Sequence, residues 1–285
     1  MGKALSLLRA FAPTGGPIGV VELARRCGMP KSTAHRLLAV LAEQGVVERW
    51  DGRWRLGITM FELGSLAGVG PNSRVQQIAL PYLHELAAAT GHTVHLGVLD
   101  QGEVLYLSKI FGHRRMPTPT RVGGRMPAYA TGLGKVLLAY ADPGEVGSIL
   151  AGRLRPLTPS TVASEKALQA ALAQARDSRI AWDQQECIPG LVCAAAPVTD
   201  RAGRAVAAIS VSGPPGMAWR THLASRVCAA ATAISDRLGP AEPSVQTGSA
   251  GGPASPSRTE RLRASTANGS ASRNYPISDG PDQLV

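Results

Sequence analysis

Apolar residues recur at i, i+3, i+4 and i+7, the spacing of a helix buried along one face, at Val20, Leu23, Ala24 and Cys27 and again at Ala34, Leu37, Leu38 and Leu41. Ahead of them Leu5, Leu8 and Phe11, with Ala4 and Leu7 alongside, predict a first helix that stops before Pro13-Thr14-Gly15-Gly16-Pro17. The second helix ends at Gly28 and lacks the usual Ser, Thr or Asp cap ahead of Glu22. Gly28-Met29 makes a tight turn into the third helix. Pro30 suits that helix's first position, and Gly45 suits the residue just past its end. Two short helices joined by a glycine-bearing turn predict a helix-turn-helix. Val46–Trp50 and Arg53–Leu56 flank Asp51-Gly52, a strong hairpin signal that reads as the wing of a winged helix. Ile58–Val69 reads as a further helix with Phe61 and Leu66 on an apolar side. Gly68, Gly70, Pro71 and Asn72 then break the chain at a domain boundary.

Beyond that break the pattern predicts a helix over Val75–Thr90 stopped by Gly91, then strands Thr93–Leu99 and Glu103–Ile110 joined across Asp100-Gln101-Gly102. A basic loop from Phe111 to Pro127 leads to a glycine-rich helix start, Ala130-Thr131-Gly132-Leu133-Gly134-Lys135, ahead of an apolar helix over Val136–Tyr140. Helices over Asp142–Ala151, Ser164–Arg179 and Ala218–Leu238 and strands over Ala181–Glu186, Leu191–Thr199 and Ala205–Ser212 complete the pattern. Strands in hairpins with helices grouped between them read as α+β around an antiparallel sheet. From Ala241 to Val285, Pro, Gly, Ser, Thr and Ala dominate without apolar period, which predicts a disordered tail dispensable for folding. The expected domains are therefore residues 1–57, a linker helix over 58–74, a second domain over 75–240 and the tail over 241–285.

Composition and charge narrow the function. Of the 285 residues 44% are apolar but only 4% aromatic, so the core must be aliphatic and alanine-rich. The formal net charge of +10 suits a polyanionic partner. Residues 1–75 carry 10 basic against 5 acidic side chains, the highest charge density in the chain, which favours nucleic acid over a membrane surface. Cys27, Cys187, Cys193 and Cys228 form no Cys-x-x-Cys pair and have no His cluster near them, so reduced thiols in the cytoplasm are expected, with no disulfide frame, metal or cofactor. No signal segment opens the chain and no apolar run approaches a membrane span. Met1-Gly2-Lys3-Ala4-Leu5-Ser6 formally fits a myristoylation pattern, but the same residues open an amphipathic helix.

Two patches carry candidate chemistry. Burying Ala34, Leu37, Leu38 and Leu41 leaves Ser32, Thr33, His35 and Arg36, with Lys31 beside them, outside the first two turns of the third helix. N–H groups and the dipole at that end favour phosphate, and Arg or Ser side chains can reach base edges. In the wing, Arg53 and Arg55 alternate with Trp54 and share one face, placed to lie along a phosphate backbone or in a minor groove. In the second domain the glycine-rich start exposes N–H groups that can hold a small anion, though its spacing is not that of a Walker loop. If Asp200–Gly203 is a four-residue hairpin loop, Thr199 faces Arg204 and Cys193 faces Ser210. Cys193, Ser210 and Ser212 then share one sheet face, with Ile209 and Val211 on the other. Two hydroxyls and a thiol on one face suggest a small polar pocket; the plainer alternative is small core serines bonded to backbone.

Together these stretches resemble the IclR-type family of bacterial transcriptional regulators over residues 3–240. The resemblance rests on KALSLLRAF, ELARRCGMPKSTAHRLLAVLAEQGVVER and RWRLGITMFELG, then TGHTVHLGVLD, EVLYLSKI, ATGLGKVLLA, DQQE…GLVCAAAPVTD and VAAISVSGP. It implies a winged-helix DNA-binding domain, a linker helix, a GAF-like effector domain, and a homodimer or dimer of dimers on double-stranded operator DNA. It makes Ser32, Thr33, His35 and Arg36 DNA contacts. It also places Gly132, Leu133, Asp183, Cys193, Ser210 and Ser212 against a small effector, often a carboxylate. Asp183 sits awkwardly there, since a carboxylate beside an anionic ligand costs energy unless protonated or paired. The N-terminus is short against the family pattern, and the tail is not part of it.

The expected function is a sequence-specific DNA-binding regulator, a repressor in the first instance, modulated by a small effector. A ligand-independent DNA-binding protein is the first alternative. An enzyme using Cys193 or Ser210 is the second, against which no Ser-x-x-Lys or Gly-x-Ser-x-Gly frame exists and nothing places His92, His95 or His113 beside Cys193. A metal site at Cys193 and Asp183 gathers too few soft ligands.

Overall fold

The computed structural model describes residues 2–12, 16–67, 71–114, 116–152 and 154–238. The predicted tail over 241–285 lies outside the described residues, as do positions 68–70 at the predicted linker.

Three helices open the chain: α1 (Gly2–Arg9), α2 (Val20–Arg26) and α3 (Lys31–Glu43). They close around Leu7, Phe11, Leu23, Ala34 and Leu38, all buried. Leu37 and Leu41, expected in that core, are only partly buried. Pro30 is not the first residue of α3 but its N-cap, in an extended conformation that brings no side-chain hydrogen bond. Gly19 at the start of α2 likewise caps without a side chain. The hairpin β1 (Val47–Trp50) and β2 (Arg53–Leu56) turns at Asp51 and Gly52 with φ of 46° and 70°, the positive pair that a two-residue type I′ loop demands. Backbone bonds in both directions between Ile18 and Trp54 form an isolated bridge that ties the wing to the segment ahead of α2. Helix α4 (Ile58–Ala67) follows.

The second group of elements begins with α5 (Pro71–Thr90), four residues earlier than the sequence pattern places it. The strands are β3 (Thr93–Asp100), β4 (Glu103–Ile110), β5 (Arg125–Pro127), β6 (Ala181–Gln184), β7 (Val192–Thr199) and β8 (Ala205–Gly213). They form one six-stranded antiparallel sheet in the order β5-β4-β3-β8-β7-β6. The remaining helices are α6 (Gly132–Ala139), α7 (Pro143–Leu150), α8 (Glu165–Ser178) and α9 (Met217–Leu238). Strand alternation sorts the sheet into two faces. Val94, Leu96, Ala194, Ala196, Ile209 and Val211 pack with α5 and α9. Ala181, Ala195 and Ala208 pack with α6 and α8 on the opposite face.

The β7–β8 register differs from the sequence expectation. Cys193 faces Ser212 and Ala195 faces Ser210. Asp200 Oδ1 accepts from the N–H groups of both Ala202 and Arg204, which widens the turn, and the register shifts between Val198 and Thr199. The displacement at Cys193 is two residues, and two residues preserve the face.

Candidate functional site

The first site lies on α3 and the wing. Helix α3 buries Ala34 and Leu38 and exposes Lys31, Ser32, His35 and Arg36, with Thr33 half-buried. The wing is braced against it by Trp54, which is buried and meets the His35 ring edge-on at 6.5 Å. Arg53 and Arg55 do not play equal parts. Arg53 is exposed and makes no ion pair among the described residues. Arg55 is half-buried, its Nε 2.6 Å from Glu48 Oε1 and its guanidinium 3.8 Å from the Trp50 ring centre, so its charge is already engaged. Sequence reasoning missed Arg49. It pairs with Trp54 across the hairpin, lies 4.9 Å over that ring, and brings Nη2 to 3.5 Å from His35 Nε2. Its alternation with Glu48 and Trp50 was the available signal.

The second site is a narrow cavity on the α6 face of the sheet. Gly132, Leu133, Asp183, Cys193, Ser210 and Ser212 all line it. The sheet register explains why. Thr93 faces Ser212, Ser212 faces Cys193, and Cys193 faces Asp183, so one polar row crosses β3, β8, β7 and β6. Cys193 Sγ and Ser212 Oγ lie 3.0 Å apart within it. Beside it, His95 faces Ser210 and lines the cavity with Tyr106, whose ring it meets edge-on at 5.3 Å. His95 was not placed near the serines from sequence, although Thr93 and His95 alternate with Val94 and Leu96 in the manner of a two-faced strand.

The start of α6 forms the wall opposite the sheet. Thr131 caps it, its Oγ1 accepting from Gly134 N at 2.9 Å. Lys135 N donates to Thr131 O, which leaves the N–H groups of Gly132 and Leu133 at the cavity without an acceptor among the described residues. Gly134 is required by close approach, because a Cβ there would stand 2.1 Å from Ala128 O. Lys135 does not face the cavity. Its ammonium is buried in an ion pair with Glu186.

Burial sets the protonation of this site. Asp183 is 1% exposed, and desolvation is the largest influence raising its carboxyl to about 7, against the N–H of Glu186 that lowers it at 2.7 Å. Burial holds His95 down to about 3, pushes the Cys187 thiol up to about 12 and raises the Cys193 thiol well above its usual range. A buried neutral thiol is a poor nucleophile, so the chemistry available is hydrogen bonding rather than covalent catalysis. Among the described residues no three His, Cys, Asp or Glu side chains gather as a metal site, and no helix is long and apolar enough to cross a membrane.

A helix-turn-helix with a wing, followed by an α+β domain holding a narrow cavity, is the architecture of a ligand-responsive transcriptional regulator. The chain matches the description "IclR helix-turn-helix domain" over residues 2–50 and "Bacterial transcriptional regulator IclR C-terminal" over residues 70–236. It belongs to the IclR family of bacterial transcriptional regulators, a family of regulators and not of enzymes. It is 37% identical over 213 residues to the HTH-type transcriptional regulator XynR of Escherichia coli, covering 74% of this chain and 84% of that one. It is 34% identical over 217 residues to the transcriptional repressor IclR of Escherichia coli, covering 74% and 78%. Among solved structures it is similar to an IclR homolog complexed with 4-hydroxybenzoate from Microbacterium hydrocarbonoxydans. That likeness has a TM-score of 0.74 and 28% identity over 83% of this chain and 97% of that one.

Proposed function

We propose that this chain is a cytoplasmic repressor that holds its operator as a homodimer or pair of dimers and changes its grip when a small carboxylate enters the cavity. Lys31, Ser32, Thr33, His35 and Arg36 read the DNA, with Arg49 braced beside them; Arg53 grips phosphate from the wing, and Arg55 contributes less. Residues 1–57 serve as the DNA-binding unit, 58–74 as the linker, 75–240 as the effector unit and 241–285 as a tail. The observation that carries the ligand reading is that Gly132 and Leu133, whose N–H groups have no acceptor among the described residues, line the same cavity as the hydroxyl-bearing Ser210 and Ser212. Amides at a helix start favour a carboxylate, and hydroxyls can bond its remaining oxygens. The 4-hydroxybenzoate complex of the Microbacterium homolog supports the same chemistry, and the repressor names of the relatives support the sign of control.

The dimer reading rests on α4. Ile58, Phe61, Leu63 and Leu66 are 67%, 72%, 54% and 70% exposed and cover more than half of the helix circumference. A helix that exposes this much apolar side chain is stable when covered, and a second copy of the same helix covers it symmetrically. The effector reading is tested by operator binding across a panel of small acids, in wild type and in Ser210→Ala with Ser212→Ala. An acid that shifts wild-type operator affinity should leave that of the double variant the same with and without it. An undiminished response in the double variant puts the effector elsewhere.

A further inference from the structure

The cavity that admits the acid presents it with a carboxyl and with no cation. Asp183 lines the wall, and its Oδ1 is occupied by the N–H groups of Glu186 at 2.7 Å and Cys187 at 3.3 Å. Its Oδ2 makes no hydrogen bond among the described residues. None of the residues lining the cavity is Lys or Arg. The basic side chains nearby are spent elsewhere. Lys135 is paired with Glu186, Lys109 Nζ donates to the backbone of Thr120, and Arg125 is paired with Asp100.

Two ionised carboxylates cannot share such a site at low cost, because each repels the other where water does not screen them. Adding a cation is not open to this chain without breaking the Lys135–Glu186 pair. Keeping one proton is. We infer that an acidic effector is bound by a carboxyl-to-carboxylate hydrogen bond in which Asp183 is the protonated donor through Oδ2, so that the bound complex carries one proton more than two free carboxylates would. The inference rests on the carboxylate reading above and adds the role of Asp183 to it.

The surroundings single out Asp183 as the group that takes this proton. The groups facing it are Glu186 and Cys187 on the following turn, Lys135 of α6, Cys193 of β7, Tyr106 of β4 and His95 of β3. Cys187, Cys193 and Tyr106 are all held above neutrality by burial and stay neutral, and His95 is held near 3 and stays neutral. Lys135 and Glu186 satisfy each other as an ion pair. Asp183, raised to about 7, is the one whose proton is in play near physiological pH.

Titration calorimetry of the full chain with 4-hydroxybenzoate, benzoate and acetate, at pH 8 in buffers of different ionisation enthalpy, tests this. The expected result is uptake of about one proton per acid bound, and an affinity that weakens roughly tenfold per pH unit above pH 7. Asp183→Asn keeps an acceptor for the two N–H groups and a neutral donor for the acid. It should bind the same acid with an affinity flat from pH 6.5 to 8.5. Acid binding without proton uptake, or the same pH slope in Asp183→Asn, overturns the inference and leaves the carboxylate reading standing. Failure of all three acids to bind at pH 6.5 removes both. Wild-type proton uptake decides alone if the variant does not fold.

Discussion

Nε2 of His95 lies 2.8 Å from Oγ1 of Thr120, a bond between the centre of the sheet and the basic loop 25 positions further along the chain. Thr118 Oγ1 joins it at 2.9 Å, and Lys109 Nζ donates to the carbonyl of Thr120. Thr118 and Thr120 both line the cavity. The segment read in the sequence as a basic loop therefore brings two hydroxyls to the cavity wall, while Arg121 remains exposed.

Thr120→Val should loosen that segment. It leaves a buried imidazole nitrogen without its partner, which costs about 1–3 kcal/mol. Urea unfolding should show a loss in that range, and trypsin should cut after Arg121 faster than in wild type. Equal stability and equal cleavage would show that the loop is held by other contacts.

The dependence of stability on pH should split between two residues of opposite sign. His95 titrates near 6.5 when unfolded but is held to about 3 in the fold, chiefly by burial and then by the Lys109 charge. The unfolded chain thus binds the extra proton, and this contribution to stability is lost as pH falls below 6.5. Asp183 ionises near 3.8 when unfolded and keeps its proton to about 7 in the fold. Its contribution is present in acid and is lost as pH rises through that window. Thermal unfolding at steps from pH 4 to 8 should show Asp183→Asn gaining on wild type as pH rises, and His95→Gln gaining as pH falls. Parallel curves for all three proteins would refute the assignment.

On DNA the arginines should separate by their engagement. Arg36→Ala should weaken operator binding by about 1–3 kcal/mol if the side chain reads a base bidentately. Arg53→Ala should weaken operator and random DNA alike and lower the salt slope by about one. Arg55→Ala should do less, because Glu48 and Trp50 already hold that charge. Arg49→Ala should resemble Arg36→Ala, since it frees His35. Binding assays at two salt concentrations, on operator and on random duplex, distinguish these outcomes.

Charging α4 should dissociate the protein. Phe61→Glu with Leu66→Glu places two carboxylates on the exposed apolar helix, and sedimentation should then report a monomer where wild type reports a dimer or tetramer. A wild-type protein that sediments as a monomer at micromolar concentration would instead remove the dimer reading.

Most of the helices and strands were legible because their apolar residues carry clear periods of 3.6 and 2, as in Ala34–Leu38 and Val94–Leu96. Six of the residues that line the cavity were named by family resemblance, and the alternation of Cys193, Ser210 and Ser212 predicted their shared face. The register was not legible, since it depends on how the Asp200 side chain folds the turn at its own backbone. Nor was the company His95 keeps, because β3 meets β8 across more than a hundred residues of chain. The Lys135–Glu186 pair was likewise out of reach. A lysine in an apolar helix gives no sign of a partner 51 positions away.

The two-faced sheet also bears on how such a protein can change. On β3, β7 and β8 the positions facing α5 and α9 are Val, Leu, Ile and Ala, while the opposite face holds Thr93, His95, Cys193, Ser210 and Ser212. Within each of these strands one parity of residue number thus packs against α5 and α9, and the other supplies the face that carries the cavity. Substitutions in the second set can reshape the cavity wall while the packing against α5 and α9 is inherited intact.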